Sequence, residues 1–537
     1  MPSPEGELVL SALGSSKKAG IQCEDRTEDL RSVTPADCVR IPTKVVAPRG
    51  STLWNAGFRF GAQIVAVCIS LFLTPYLIRH LGVESYGIVG VISTMISYVA
   101  IVTTSLTATV GRNLTFAVER EAFQEANKEI STAVFGLIRV FLILLPLLFL
   151  VSMFIDRLIV IPPELRNPAR LFFLLAAMAF AVNSMSGPLG AAMFVRNRLD
   201  LSSAASLARS VCFAVLIVGL FSAMGSSLIS YGTAVLASSL LLLFLHLRIH
   251  KYLLPAISIS NRWYDRNILR QILSLGGWMT VTQIGGLLFL QTDLLIANRV
   301  LGPEATGRLA AIAVIPLQLR VLAGLVSGLF GPTVAAFAAR NDWESFSDYL
   351  LQAIRLTTLF FALLVGVFFG SARSILSIWL GPEFASLTPV VLVMTGYLVI
   401  SLGSSPTSAA VLARGKVKVP ATVTLIMGAL NAALSVVLAR KLGLMGIALS
   451  GCTMLLLLNG GFVPWYIKKT CGTSLRLYGK QQLMGLAICA VIALISNGVD
   501  LLVVPNSLSS LLFSLGVSGT AGALLLLPFG LPILRRL

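Results

Sequence analysis

Several arginines lie inside stretches of this chain that are apolar enough to cross a membrane. A guanidinium group is costly in hydrocarbon, so such residues usually face a polar cavity or a charged partner. Guanidinium groups also bind phosphate through paired hydrogen bonds, so a cavity lined by them suits a phosphorylated ligand. The candidates for a cationic lumen are Arg59, Arg139, Arg209, Arg320 and Arg355.

The depth of each arginine in the membrane separates two interpretations. Arg59, Arg209 and Arg355 are each predicted about one turn from a helix end, where a long side chain can also reach the lipid headgroups. Arg139 is predicted eight residues into its helix, roughly 12 Å deep. Arg320 is predicted near the middle of another helix, one turn after a proline. These last two do not easily reach water along the lipid face, which favours a lumen position.

One aspartate, Asp293, is predicted deep in the seventh apolar stretch, towards its outer end. It could form an ion pair with Arg299, two turns further on, or with a residue of another helix. Alternatively, it could bind H⁺ or Na⁺ and couple an ion gradient to transport. The sequence leaves both interpretations open.

The composition places these residues in a membrane protein. Apolar residues make up 56% of the 537 residues, only 12% are charged, and the mean hydropathy is +0.88. Fourteen stretches of about 20 apolar residues can each cross a bilayer as a helix. The predicted fold class is therefore an all-α integral membrane protein with about 14 transmembrane helices.

The net charge of +18 follows from membrane topology rather than from a nucleic-acid-binding surface. With the N-terminus in the cytoplasm, Lys and Arg are roughly three times as frequent on the cytoplasmic side as outside, which agrees with the positive-inside rule. Both termini are therefore predicted in the cytoplasm, and the protein in the cell (inner or plasma) membrane. Residues 1–50 are polar and are predicted to be a disordered cytoplasmic tail.

An internal duplication organises the chain. The pattern Arg-x-Leu-Gly-x-Glu-x-x-Gly occurs twice, 220 residues apart. The copies are separated by six helices, so two parallel six-helix repeats are predicted. We predict an N-lobe at 51–248, a basic cytoplasmic linker at 249–272, a C-lobe at 273–468 and two extra helices in 469–537. The matched positions are Arg79, Gly82, Glu84, Gly87, Arg299, Gly302, Glu304 and Gly307.

The repeated pattern is predicted to form a structural turn rather than a substrate site. Its first glycine permits a sharp reversal of the chain. Its glutamate begins the next helix, where the helix dipole favours a carboxylate. Its arginine could pair with that glutamate.

No metal, cofactor or ATP site is predicted. None of the seven cysteines falls in a predicted external loop and no C-x-x-C occurs, so disulfides and zinc are not expected. His246 and His250 are four residues apart but have no acidic or cysteine partner nearby. The chain has no Walker A motif, so ATP is not its direct energy source.

These motifs resemble those of the Wzx-type polysaccharide-biosynthesis flippases, within the multidrug/oligosaccharidyl-lipid/polysaccharide (MOP) exporter superfamily. The resemblance covers about residues 51–470. Besides the paired pattern, it rests on Thr292-Asp293, on Gly328-Leu-Phe-Gly-Pro332 with Ala339-Arg340-Asn-Asp342, and on Trp379-Leu-Gly-Pro-Glu383.

The resemblance implies a flippase or exporter, not an enzyme, with two lobes in a V around a cationic lumen. Such a protein moves a polyprenyl-diphosphate-linked oligosaccharide from the cytoplasmic to the outer leaflet by alternating access, for cell-surface polysaccharide biosynthesis. In the fourteen-helix lipid II flippases the last two helices form a groove for the lipid tail. The resemblance also implies drive by H⁺, Na⁺ or the membrane potential, and polysaccharide polymerase or export machinery as a partner.

Two other functions remain as alternatives. A MATE-like multidrug or cation antiporter of the same superfamily would need an acidic and aromatic lumen, whereas the candidate residues are five arginines and one aspartate. A membrane-embedded polysaccharide polymerase or glycosyltransferase would need a sizeable external loop, and the predicted external loops are short. The sequence therefore favours transport of an anionic cargo.

Overall fold

A computed structural model describes residues 52–107, 110–275, 277–340 and 343–534. These residues form helices and short connections without a strand, and 14 of the helical segments are long and apolar enough to cross a membrane. The predicted all-α membrane fold with 14 transmembrane helices is confirmed. The predicted tail, residues 1–50, lies outside the described residues. We number the membrane-spanning segments span 1 to span 14 in chain order.

Most spans are single helices, and three are interrupted. Spans 1 to 6 are Thr52–Leu81, Val83–Thr107, Phe123–Met153, Arg166–Val195, Leu199–Met224 and Leu228–Leu253. Spans 8, 9, 11, 13 and 14 are Pro303–Arg340, Trp343–Trp379, Lys418–Leu442, Leu475–Val503 and Leu508–Leu534. Span 7 consists of Gly277–Leu290 and Thr292–Leu301, and span 12 of Leu444–Leu456, a π-helical turn at Leu457–Phe462 and Val463–Cys471. Span 10 consists of four short helices: Pro382–Leu387, Thr388–Gly396, Leu398–Gly403 and Pro406–Ala413.

Among the described residues, five shorter helices lie in the connections between spans. They are Val110–Glu119, Ile155–Leu158, Pro163–Leu165, Asn261–Trp263 and Arg266–Leu275.

Successive spans run in opposite directions, which defines two sides of the bundle. The linker side carries the start of span 1 and the connection between spans 6 and 7. The motif side carries Gly82 and Gly302, which end spans 1 and 7 with φ angles of +82° and +94°. Only glycine adopts such angles without strain, so each copy of the repeated pattern reverses the chain within one residue.

The spans of the two halves pack in the same order. In the first half, span 1 contacts span 5, span 5 contacts span 6, span 4 contacts span 6, and span 3 contacts span 4. In the second half the corresponding contacts join spans 7 and 11, 11 and 12, 10 and 12, and 9 and 10. A six-helix duplication explains this repetition, while the exact lobe and linker boundaries stay a prediction.

The halves meet where spans 1 and 2 contact spans 7 and 8. Gln318 Nε2 of span 8 donates to Ser70 Oγ of span 1 at 2.8 Å. Trp379, at the end of span 9, donates from its indole nitrogen to the carbonyl oxygen of Leu71 at 2.6 Å. Polar side chains thus hold the first span against the second half.

Spans 13 and 14 pack on span 9. Gly366 and Gly370 of span 9 face span 13, and a Cβ on Gly366 would lie 2.8 Å from the carbonyl oxygen of Cys489. Small residues allow such close approach of membrane helices. The two extra helices are therefore attached to the second half.

Candidate functional site

A cavity of about 480 Å³ lies between the two halves and is lined by spans 1, 2, 5, 6, 7, 8, 10 and 12. Among its described lining residues, the charged ones are Arg209, Asp293 and Arg320. The other lining side chains are apolar or carry hydroxyl or amide groups. The cavity therefore brings together two of the arginines predicted for a cationic lumen and the aspartate predicted for an ion pair or for ion coupling.

Arg320 lies near the middle of span 8 with its guanidinium group at the cavity wall. Its Nη2 donates a hydrogen bond to the Tyr397 hydroxyl, and its Cζ is 5.8 Å from the centre of the Tyr397 ring. Tyr397 stands at the break between two helices of span 10. Arginine has five N–H donors, so a guanidinium held along one edge by tyrosine still has donors for a ligand.

Asp293 lies where span 7 approaches spans 11 and 12. Its Oδ1 accepts a long hydrogen bond of 3.4 Å from Ser435 Oγ, and the side chain of Asn431, one turn earlier on the same span, also acts on the carboxylate. A Cβ on Gly451 of span 12 would lie 3.8 Å from its Oδ2. The charge of Arg320 acts on this carboxylate, although no ion pair among the described residues joins the two.

Arg299 pairs neither with Asp293 nor with Glu304, the two partners that the sequence suggested. Its Nη2 donates to the carbonyl oxygen of Arg157 at 3.0 Å on the motif side, and no ion pair among the described residues joins it to Asp293. Glu304, its other suggested partner, accepts from Arg308 at 2.7 Å. Residues four apart on a helix share a face, so Arg308 reaches the carboxylate more directly than an arginine before the turn.

A second cavity, of about 420 Å³, lies between spans 1 and 5 on the linker side of the first. Ala66 and Ser210 line both cavities, so the two adjoin along the same pair of helices. Its polar lining residues are Arg59, Gln63, Ser202, Ser203, Ser206 and Ser210. A polar track therefore leads from Arg59 on the linker side to Arg320 at mid-membrane.

Arg209 lies further from the start of its helix than predicted. Span 5 begins at Leu199, which puts Arg209 ten residues into the helix, about 15 Å at 1.5 Å per residue. Its Nη1 lies 3.4 Å from the Asn183 Oδ1 acceptor on span 4. The helix begins before the apolar stretch, and Asp200 in its first turn forms an ion pair of 3.0 Å with Arg198.

Arg139 and Arg355 line neither of these two cavities. Arg139 is exposed; its Nη2 donates to Asn261 Oδ1 at 3.2 Å, and its Cζ lies 3.5 Å from the centre of the Tyr264 ring. These contacts join span 3 to the connection between spans 6 and 7. Arg355 is half-buried on span 9. A lumen role for these two arginines stays a prediction.

Several charged residues within the spans were missed at the sequence level, among them Arg373 and Asp500. Arg373 is exposed on span 9, whereas Asp500 is 9% exposed on span 13. A complete count of acidic and basic residues inside the apolar stretches would have found both. The sequence did not indicate that Tyr397 accepts a hydrogen bond from Arg320, because tyrosines are common in membrane helices.

A bundle of 14 membrane-crossing helices with duplicated contacts and a charged cavity between its halves defines a membrane transporter. Two solved transporters share its fold. One is a multidrug-resistance MATE-family transporter of the MOP superfamily in an inward-facing conformation, with a TM-score of 0.67, 13% identity, and coverage of 78% of this chain and 98% of that one. The other is the lipid II flippase MurJ in an inward closed conformation, with a TM-score of 0.64, 15% identity, and coverage of 89% of this chain and 99% of that one.

The chain belongs to the polysaccharide biosynthesis protein family, which it matches over residues 53–327. It is 33% identical over 460 residues to EpsK, an uncharacterized membrane protein of Bacillus subtilis (strain 168), covering 85% of this chain and 91% of that protein. It is 22% identical over 432 residues to a proposed O-antigen transporter of Shigella flexneri, covering 78% of this chain and 98% of that protein. The predicted family is confirmed, and the protein is a multi-pass membrane transporter rather than an enzyme.

Proposed function

We propose that this transporter moves a polyprenyl-diphosphate-linked oligosaccharide from the cytoplasmic to the outer leaflet, for cell-surface polysaccharide biosynthesis. The observation that carries the proposal is the presence of Arg209 and Arg320 in one cavity, with Arg59 in the adjoining one. Guanidinium groups form planar forks that match the oxygens of a diphosphate. The hydroxyl and amide groups along the track are donors and acceptors suited to sugar hydroxyls.

The size of the central cavity limits what it holds at one time. A volume of about 480 Å³ falls within the range of ordinary ligand pockets, roughly 300–1,000 Å³. Such a space suits a diphosphate with its first sugar, while a longer glycan requires the two halves to separate. Alternating access by rocking of the halves provides that separation, and the polyprenyl tail stays in the lipid.

Asp293 is the proposed binding site for a coupling ion, H⁺ or Na⁺. Its polar neighbours on span 11 are the neutral Ser435 and Asn431, and the charge of Arg320 acts on it. An ion that neutralises Asp293 removes a negative charge near Arg320, so ion and diphosphate favour each other's binding. The inside-negative membrane potential also favours outward movement of an anionic headgroup, by about 2.3 kcal/mol per charge per 100 mV.

The proposal includes an orientation. We place the linker side and both termini in the cytoplasm, so that cargo enters past Arg59. Basic residues on the linker side would then face anionic lipid headgroups and the polysaccharide polymerase or export machinery that we propose as a partner. Those residues include Arg248, Lys251, Arg262, Arg266 and Arg270.

The likeness to a MATE-family transporter gives a second candidate function, the export of cationic drugs. The fold does not separate the two functions, because MurJ matches it nearly as well. The charge of the site favours the first candidate, since the two cavities together carry Arg59, Arg209 and Arg320 against Asp293. A lumen of this charge repels a cation and attracts an anion.

Reconstitution into proteoliposomes tests the proposal. Vesicles would carry a fluorescent polyprenyl-diphosphate oligosaccharide, and an impermeant glycosidase would report the fraction of headgroups on its side of the bilayer. We expect the protein to speed the loss of protected headgroups, with no transport of a cationic dye. Dye transport without headgroup movement would support the drug exporter instead.

A further inference from the structure

Asp500 of span 13 is a buried carboxyl group that the proposed transport path does not use. Its Oδ1 accepts hydrogen bonds from Ser371 Oγ of span 9, at 3.0 Å, and from Ser514 Oγ of span 14. Its Oδ2 is buried and has no hydrogen-bond partner among the described residues. None of the ion pairs of those residues includes it. A carboxylate inside a membrane bundle needs a compensating positive charge or a proton.

The surroundings of Asp500 are rich in hydroxyl oxygens. Ser496, one turn before it, lies 2.9 Å from Ser371 Oγ and donates to the carbonyl oxygen of Val367 at 3.0 Å. Ser518, one turn after Ser514, is buried with no hydrogen-bond partner among the described residues. All four serines are at most 1% exposed. The junction of spans 9, 13 and 14 therefore combines one carboxylate with several buried oxygens.

We propose that Asp500 and these serines bind a sodium ion. Oxygen-only ligands select hard cations, and a single carboxylate balances a single positive charge. A proton on Oδ2 would also neutralise the site, and the sodium dependence of stability separates these two occupants. A sodium ion instead binds Oδ2 together with lone pairs that the serine hydroxyls retain after donating to Oδ1.

The proposed ion would join the two extra helices to the second half of the bundle. Ser371 belongs to span 9, Asp500 to span 13 and Ser514 to span 14, so one ion would connect all three. The site is separate from Asp293, whose partners belong to span 11. An ion that binds the folded protein and not the unfolded chain raises stability in a saturable way, and this effect does not depend on transport.

Thermal unfolding of the purified full-length protein tests this site. The midpoint temperature would be measured in NaCl and in choline chloride at constant ionic strength. Asp293→Asn serves as the background, because it removes the other candidate ion site. We expect a saturable rise of a few degrees with sodium in Asp293→Asn, and loss of that rise in the double variant Asp293→Asn/Asp500→Asn.

An equal sodium-dependent rise in the single and the double variant would overturn the proposal. So would a stability that depends on pH through Asp500 but not on sodium, since that result identifies a proton as the occupant. If the double variant does not fold, Ser514→Ala removes one ligand and keeps the carboxylate. We expect its half-saturating sodium concentration to rise about tenfold in a radioactive-sodium binding assay, and an unchanged value contradicts the site.

Discussion

Gly87 and Gly307, the last positions of the two copies of the repeated pattern, pack against each other where spans 2 and 8 meet. A Cβ on Gly87 would lie 2.6 Å from the amide nitrogen of Gly307, and a Cβ on Gly307 would collide with the carbonyl oxygen of Val83. The obstructing atoms belong to the backbone and cannot rotate aside as a side chain can. The two copies of the repeated pattern thus contact each other, and the two halves pack this closely because both positions are glycine.

We expect Gly87→Ala and Gly307→Ala each to destabilise the protein by about 1–3 kcal/mol, the usual effect of overpacking a tight contact. The measurement is the fraction of monodisperse protein left after heating in detergent. Gly324→Ala on the same span 8 is the matched control, because nothing lies within 4 Å of a Cβ there. Equal heat tolerance of all three variants would mean that spans 2 and 8 do not pack closely at Gly87 and Gly307.

Arg320 is expected to bind the diphosphate of the cargo. Replacing it by glutamine removes charge-assisted hydrogen bonds of about 1.5–3 kcal/mol, which corresponds to a loss of affinity on the order of ten- to a hundredfold. Arg320→Lys keeps the charge but not the planar fork, so its loss should be intermediate.

The measurement for the Arg320 variants is the concentration dependence of headgroup movement in proteoliposomes. Arg373→Gln, an exposed arginine on span 9, is the control for loss of a positive charge. Wild-type affinity in Arg320→Gln contradicts a diphosphate site in the central cavity.

Tyr397 is expected to position Arg320 rather than to bind cargo itself. Tyr397→Phe keeps the ring and removes the hydroxyl that accepts from the guanidinium, so affinity should fall less than in Arg320→Gln. Combining Tyr397→Phe with Arg320→Gln should add little to the loss from Arg320→Gln alone, because the two residues act through one contact. Fully additive losses in that double variant would mean that the tyrosine acts independently.

The Tyr397→Phe comparison has a control elsewhere in the chain. Tyr466 donates from its hydroxyl to the carbonyl oxygen of Lys416 at 2.7 Å and does not line the central cavity. We therefore expect Tyr466→Phe to leave the affinity for cargo unchanged.

Asp293→Asn tests ion coupling. The asparagine retains a side chain of similar shape but cannot carry a negative charge. If Asp293 binds the coupling ion, headgroup movement should continue down a cargo gradient while its acceleration by an imposed H⁺ or Na⁺ gradient is lost. An ion gradient that still accelerates movement in this variant places the coupling elsewhere.

Arg139→Ala tests whether this arginine acts in the lumen or at the connection between spans 6 and 7. Its contact with Tyr264 is worth about 0.5–1 kcal/mol at an exposed site. We expect transport within about twofold of wild type, together with faster proteolysis near Asn261. Loss of transport with unchanged proteolysis would support a role for Arg139 in the lumen.

Much of this fold could be predicted because the membrane restricts the choices. A backbone in hydrocarbon must satisfy its own hydrogen bonds, so long apolar stretches are helices. The first glycine of each copy of the repeated pattern was assigned to a sharp turn, and Gly82 and Gly302 do adopt positive φ. Arg209 was predicted about one turn from the end of its helix and lies ten residues from it, because hydropathy finds the apolar part of a helix and not its full length.

The sequence by itself determined that this is an all-α membrane protein with 14 helices and a duplicated plan, because apolar length and internal repetition are local properties of the chain. Only the tertiary structure decided which charges share a cavity. Arg209, Asp293 and Arg320 come from three different spans and line one cavity. Arg139 instead contacts Tyr264, and Asp500 lies among the serines of spans 9, 13 and 14. Every helix has several faces, and the face that points inward depends on packing between residues far apart in sequence, which no local pattern encodes.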